Sequence, residues 1–213
     1  MKKKVLGYYD YTVILTYSGM LVAFYGILSV ISKDYWGALF CLMLAGVCDM
    51  FDGAVAATKV RTVSQKRFGI QIDSLSDLLS FGILPGLFVY MLSEQDALTG
   101  FICALFVLCA LIRLAYFNVL EEERQSQTTE KRKIYMGVPV TTVALLLPLV
   151  YMVYEYKVFS HMACFPVFLV LLGIGFLSPI EIKKPGIVGK ICMIIIGILE
   201  TVGIFISRGW KTI

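Results

Sequence analysis

Seven apolar runs, at about residues 11–32, 36–57, 72–92, 97–118, 138–155, 160–177 and 187–207, dictate what this chain can fold into. Runs of roughly 20 residues cross about 30 Å of hydrocarbon as helices rising about 1.5 Å per residue. No water reaches the backbone there, so its N–H and C=O groups must pair within the segment or around a closed barrel. The runs are continuous rather than alternating, which points to helices and away from a barrel. Composition agrees: 16% of the residues are charged and 59% are hydrophobic, against about 25% charged in a soluble domain. The chain reads as a polytopic, all-α integral membrane protein.

Met1-Lys2-Lys3-Lys4 has the basic start of a signal peptide, but Gly7-Tyr8-Tyr9-Asp10 interrupts any apolar core and no small-residue cleavage site follows. A basic tail ahead of the first span is the expectation. Cys41, Cys48, Cys103, Cys109, Cys164 and Cys192 lie inside hydrophobic segments without a Cys-x-x-Cys pair, as packing residues do. Alternating seven spans from an inner N-terminus puts Lys2, Lys3, Lys4, Lys59, Arg61, Lys66, Arg67, Arg124, Lys131, Arg132, Lys133, Lys183 and Lys184 on one side. Lys33, Lys157, Arg208 and Lys211 fall on the other. Thirteen basic residues against four marks the first side as cytosolic. The anionic inner leaflet accounts for these charges, so no nucleic-acid partner is called for. Glu121 to Lys133, acidic and then basic, fits a solvated helical excursion in a cytosolic loop. With no internal repeat, low-complexity tract or second soluble domain, residues 1–213 read as a single membrane domain.

Four aspartates sit in this apolar setting. A carboxylate at the centre of a transmembrane helix costs roughly 2.5–3.5 kcal/mol, so four together need a compensating charge. The alternating topology puts Asp49 and Asp52 near the inner end of the second span, and Asp73 and Asp77 in the first turns of the third. Spacings of three and four set each pair on one helix face. Two helices joined by a short loop then aim all four into one pocket at the inner surface. Carboxylates this close repel one another, and a pair of divalent cations removes the repulsion. Ligation by oxygen alone suits magnesium, manganese or calcium rather than zinc, with no histidine or cysteine expected beside them. His161 is expected on the opposite side.

Gly53 and Gly69 flank the pairs and let a bulky anionic ligand approach the backbone. Lys59, Arg61, Lys66 and Arg67 on the connecting loop serve either as inner-surface anchors or as phosphate ligands. Arg113, near the inner end of the fourth span, either binds an anion or snorkels to the surface. Asn118 either supports the same pocket or ends its helix, and Thr16 and Ser18 either touch a nucleotide or bond their own backbone.

Asp49-x-x-Asp52-Gly53-x-x-Ala56, followed by Gly69-x-x-x-Asp73-x-x-x-Asp77, resembles the signature of the CDP-alcohol phosphatidyltransferase family. Phe68-Gly69-Ile-Gln-Ile-Asp73-Ser74-Leu75, Phe81-Gly82-Ile-Leu-Pro85-Gly86, Arg113-Leu-Ala-Tyr-Phe117-Asn118 and Gly137-Val-Pro139-Val look like its phosphatidylserine synthase branch. The resemblance runs from the first span to about residue 150. It implies six core transmembrane helices plus about one additional segment, a homodimer, and residence in the cell (inner) membrane with the active site facing the cytosol.

The implied reaction transfers the phosphatidyl group of CDP-diacylglycerol to the hydroxyl of L-serine and releases CMP, assisted by two divalent cations, Mg2+ or Mn2+, with Ca2+ also compatible. By the same likeness Asp49, Asp52, Asp73 and Asp77 hold the metals, and Asp77 also takes the acceptor's proton as general base. Gly53, Ala56 and Gly69, with Thr16, Lys59 and Arg61, contact the CDP-lipid; Arg113 and Asn118 serve the acceptor or a phosphate. One departure stands out. The family normally has Arg directly after the alanine, where this chain has Ala57, and the gap to Gly69 exceeds the commonest family spacing. Arg61 or Lys59 would have to reach the space so vacated. The same donor with inositol, inositol phosphate or glycerol phosphate as acceptor is a second expectation. An ion transporter, whose carboxylates would lie nearer the midplane, is a third from another class.

Overall fold

The computed structural model describes residues 6–93, 95–128, 134–157, 161–183 and 186–211, and for 187, 190 and 204–211 the backbone alone. Lys2, Lys3, Lys4, Lys131, Arg132, Lys133 and Lys184, to which the sequence assigns much of the inner charge, lie outside the described residues. A 3-10 turn at Tyr11–Val13 leads into α1 (Ile14–Ile31), followed by α2 (Tyr35–Ala56). The next helix is α3 (Val63–Asp77), which continues through a π turn (Leu78–Ile83) into α4 (Leu84–Leu92). Then come α5 (Ala97–Gln127), strand β1 (Ile134–Met136), a 3-10 turn (Val140–Thr142), α6 (Val143–Glu155), α7 (Cys164–Leu177), strand β2 (Glu181–Lys183) and α8 (Ile187–Lys211).

Each of the seven expected runs is helical. Among the described residues, four helices are long and apolar enough to cross a membrane: Tyr11–Ile31, Tyr35–Ala56, Val63–Leu92 and Ala97–Gln127. Val140–Glu155, Cys164–Leu177 and Ile191–Gly203 are shorter apolar helices. Phe24, Leu28 and Ile31 on α1, Leu105, Leu108 and Ile112 on α5, and Leu171 and Ile174 on α7 all face outward. So much apolar surface is untenable in water and matches acyl chains instead. The protein is an all-α helical membrane protein.

Side-chain caps set where the helices begin. Asp34 accepts from Gly37 N at 3.0 Å to start α2, and Asp96 accepts from Leu98 N at 3.2 Å to start α5. Thr62 and Gln65 form a reciprocal capping box, Gln65 N to Thr62 Oγ1 at 3.3 Å and Thr62 N to Gln65 Oε1 at 2.9 Å. That box starts α3 at Val63 rather than at the expected 72. The polar stretch Ser64, Gln65, Lys66 and Arg67 therefore forms helical turns below the apolar section. At its C-terminal end α5 runs to Gln127 rather than 118, with Arg124 paired to Glu121 one turn back. The expected helical excursion is present as far as Gln127.

Helix alone does not describe the connections. β1 and β2 pair antiparallel, Tyr135 opposite Ile182. The turn after β1 requires Gly137, whose φ is +72° and whose absent Cβ would stand 2.7 Å from the Phe176 carbonyl. Gly137 N donates to Ile180 O at 2.8 Å and Val138 N to Gly175 O at 3.0 Å. The segments after α5 and after α7 thus lie on the same side, as alternating spans require. A second link, Lys59 Nζ to Asp10 Oδ2 at 2.9 Å, brings the chain start to the loop between α2 and α3.

α1 and α2 form the closest helix pair through small residues. A Cβ on Gly26 would lie 3.0 Å from Cys41 Cβ and 2.9 Å from Leu84 Cδ2; one on Gly19 would lie 3.1 Å from Cys48 Cβ. Packing of backbones this close drives association in lipid, where hydrophobicity gives no preference for helix over lipid. Gly26→Val should destabilise the protein by about 1–3 kcal/mol through overpacking, read as a lower unfolding temperature in detergent with the helical content of the folded protein unchanged.

Candidate active site

The first turns of α1, the closing turns of α2 and the end of α3 with the π turn after it enclose a narrow cleft whose lining includes Thr16, Gly19, Cys48, Asp49, Asp52, Asp73, Ser76, Asp77 and Ser80. Asp49 and Asp52 occupy the closing turns of α2. Asp73 and Asp77 come at the end of α3 rather than in its first turns, because the capping box begins the helix well before them. Carboxylate oxygens of Asp49, Asp52 and Asp73 lie within 4.8 Å of one another. The Asp52 carboxyl faces that of Asp73, and Asp49 faces Asp77. Asp77 lines the same cleft but stands beside the three-carboxylate group. All four are half-buried.

Two hydroxyls bind the walls together. Thr16 Oγ1 donates to Asp52 Oδ2 at 3.1 Å, so this hydroxyl orients a carboxylate. Ser76 Oγ donates to Thr16 O at 3.3 Å, tying α3 to α1. Ser76 and Ser80 were missed by motif reasoning although their positions signal them: 73, 76, 77 and 80 repeat at three and four residues and share one face. The π turn starts at Leu78, immediately after Asp77, and contributes Ser80 and Phe81 to the cleft. Cys48 also lines it, contrary to the expectation that no cysteine would lie nearby. Three converging carboxylates are hard oxygen donors and fit a divalent cation of the magnesium, manganese or calcium type, which would relieve their mutual repulsion.

Gly53 and Ala56 on α2, Gly69 on α3, and Lys59 and Arg61 between these helices are not among the residues that line the cleft. A Cβ on Gly53 would meet nothing within 4 Å, so the backbone there is open to a ligand. Ala56 ends α2, and Ala57, its C-cap, is exposed. Arg61 Nη1 lies 3.0 Å from the position a Cβ on Gly69 would take. Lys59 pairs with Asp10. The Thr12 hydrogen bond and then Lys59 hold the Asp10 carboxyl down to about 2. A depressed carboxyl contributes above the ordinary carboxylate range and loses its effect as pH falls through that low value, so the pair is intact at neutral pH.

Arg113 and Asn118, the expected acceptor or phosphate ligands, are not among the residues lining the cleft. Arg113 is buried and donates to three backbone carbonyls: Val138 O, Gly137 O at 3.4 Å and Met136 O at 3.5 Å. Asn118 Oδ1 accepts from Ser74 Oγ at 2.6 Å and its Nδ2 donates to Gln71 Oε1 at 3.4 Å. Ser74 and Gln71 line a separate groove between α3 and α5, so Asn118 meets α3 on the side away from the cleft. His161 is exposed in the segment between α6 and α7, remote in topology from the carboxylates.

The family model for CDP-alcohol phosphatidyltransferase matches residues 12–177 of this chain. The chain belongs to that family. Among its relatives is the CDP-diacylglycerol–serine O-phosphatidyltransferase of Saccharomyces cerevisiae, 34% identical over 157 residues, 68% of this chain and 56% of that protein. The Helicobacter pylori protein of the same name is 29% identical over 76% of this chain and 65% of its own length. That of Methanocaldococcus jannaschii is 31% identical over 85% of this chain and 83% of its own. The chain thus spans less than two thirds of the first two relatives. The matched region of this CDP-alcohol phosphatidyltransferase family member contains every wall of the cleft, and Arg113 as well.

Arg113→Ala should lower stability by about 2 kcal/mol by leaving buried carbonyls unpaired. Arg113→Lys should recover only part of this, since an ammonium cannot reproduce the guanidinium fork; thermal unfolding in detergent is the measurement.

Proposed function

We propose that this protein transfers the phosphatidyl group of CDP-diacylglycerol to L-serine, giving phosphatidylserine and CMP. The observation that carries the proposal is the convergence of Asp49, Asp52, Asp73 and Asp77 in one cleft of a family member whose relatives bear the serine transferase name. Acyl chains stay among the outward-facing apolar side chains while the diphosphate enters at the inner mouth. Gly53, Ala56 and Gly69 line the donor's cytidine and diphosphate. Asp49, Asp52 and Asp73 hold magnesium or manganese, with calcium also matching the donor set, and Asp77 adds a ligand. When bound, two such cations supply charge neutralisation at the diphosphate and at the departing CMP.

The proton inventory falls to this chain's own carboxylates. The serine oxygen bonds to the phosphatidyl phosphorus, the bond from that phosphorus to the CMP oxygen breaks, and Asp77 takes the hydroxyl proton. Its place beside the three-carboxylate group supports this division of labour. Thr16 keeps Asp52 oriented. In this scheme Arg113 and Asn118 act as scaffold, which their backbone and α3 partners favour over acceptor binding.

The same proposal makes residues 1–213 one membrane domain with six core spans, α8 as the peripheral segment, and the cleft facing the cytosol from the cell inner membrane. Lys59, Arg61, Lys66 and Arg67 beside the cleft support that orientation. A homodimer rests on the family resemblance. Purified protein should release CMP from CDP-diacylglycerol only when L-serine is added; release with inositol or glycerol phosphate instead would reject serine as the acceptor. Asp77→Asn should abolish turnover while CDP-lipid binding persists, and near-normal turnover would remove Asp77 as the base. Thr16→Val should weaken manganese affinity about 10-fold or more by freeing Asp52, as titrated by loss of the free-ion paramagnetic signal.

A further inference from the structure

The loop from α2 to α3 and the first turns of α3 offer four cations to an incoming anion, and the fold treats them unequally. Lys59 Nζ lies 2.9 Å from Asp10 Oδ2 and 5.8 Å from the centroid of the Tyr11 ring. Thr58 Oγ1 donates to the Tyr11 hydroxyl at 3.1 Å, and Tyr8 meets Phe68 edge-on with ring centroids 5.2 Å apart. Residues 8–11 therefore hold the start of the loop and the second turn of α3. An ammonium already matched to a carboxylate and seated by a ring gains little from a second anion. Lys66 and Arg67 are exposed on α3. Lys66 sits about 10 Å along the helix axis from Asp73, by rise per residue.

Arg61 differs from all three. It is half-buried, its Nη1 sits over Gly69, and its charge reaches Asp52. Among the described residues it donates no hydrogen bond. A planar fork of N–H donors without an acceptor, held over a glycine at the edge of a carboxylate cluster, suits an oxyanion that bridges fork and cluster. Ala57, which closes α2, adds only a methyl group there.

We infer that Arg61 is the side chain that grips the donor's diphosphate, and that Asp10 positions it by holding Lys59, and with it the loop, away from the cleft. The inference rests on the CDP-lipid donor proposed above and adds which cation serves it and what keeps that cation in place. Asp10 is thus a positioning residue acting through the strap, and Gly69 is the floor on which the guanidinium rests.

The test is binding of CDP-glycerol to the full chain in detergent with manganese, followed calorimetrically, alongside donor and serine KM. Arg61→Ala should weaken CDP-glycerol binding at least tenfold and raise the donor KM by a similar factor. The serine KM should stay within twofold, and Arg61→Lys should restore part of the loss. Lys59→Ala cuts the same strap and should weaken binding by the same two- to fivefold as Asp10→Asn, well short of the Arg61→Ala loss. Asp10→Asn should weaken it two- to fivefold in the native background and not at all in Arg61→Ala, because the strap acts through Arg61.

Unchanged binding in Arg61→Ala, or an equal loss in Lys59→Ala, overturns the assignment; an Asp10→Asn effect that persists without Arg61 overturns the positioning role. Because binding needs no acceptor, its outcome separates from that of the serine assay. Serine-independent CMP release with Arg61-sensitive binding rejects the acceptor and supports this inference. Serine-dependent release with Arg61-insensitive binding does the reverse.

Discussion

Like charges gathered in a low-dielectric setting are the tension around which this molecule is built. Asp49, Asp52 and Asp73 bring carboxylate oxygens within 4.8 Å of one another, with Asp77 beside them. Such a cluster survives only if the backbone that carries it cannot relax outward. Close contact of Gly19 and Gly26 with Cys48 and Cys41 locks α1 onto α2, and Thr16 and Ser76 lace α1 to the carboxylates and to α3. Helices α1, α2 and α3 thus hold the cleft from three sides, an arrangement that favours a bound cation over collapse.

The helix ends and loops on the side of the α2–α3 connection are as organised as the apolar section. Residues 8–11 strap the α2–α3 loop, the capping box at Thr62 launches α3 from that loop, and the Ser74–Asn118–Gln71 bonds tie α3 to α5. Arg113 then ties α5 to the turn at 136–138, which pairs in turn with the segment after α7. A charge that would be costly alone in lipid is spent here on backbone carbonyls, so a buried arginine can serve architecture as well as chemistry.

Much of the site could be read directly from the chain. Hydropathy located the seven apolar helical segments of the described residues, α3 and α4 counting as one, because a backbone without water must be helical whatever its neighbours are. The paired spacings of Asp49 with Asp52 and Asp73 with Asp77 foretold a shared pocket, because helical periodicity alone decides which residues share a face. Where the reading fell short, the deciding partner was distant in sequence. Thr16 serves a carboxylate 36 residues away, and Asp10 claims a lysine 49 residues away. The start of α3 was a local signal overlooked: Thr62 and Gln65 spell a capping box, but its polar turns lie below the hydropathy threshold for a span.

The sequence by itself determined that this is a helical membrane protein with an acidic cleft near one surface, since helix period, span length and the cost of buried charge are local quantities. Tertiary structure decided the division of roles among residues of the same type. Lys59 pairs with Asp10 while Arg61 stands over Gly69, Arg113 meets the carbonyls of the turn at 136–138, and Asp77 lines the cleft beside rather than within the tight group. Those outcomes depend on which partner each charge meets across the packed helices and the knitted inner loops, and no spacing along the chain encodes that.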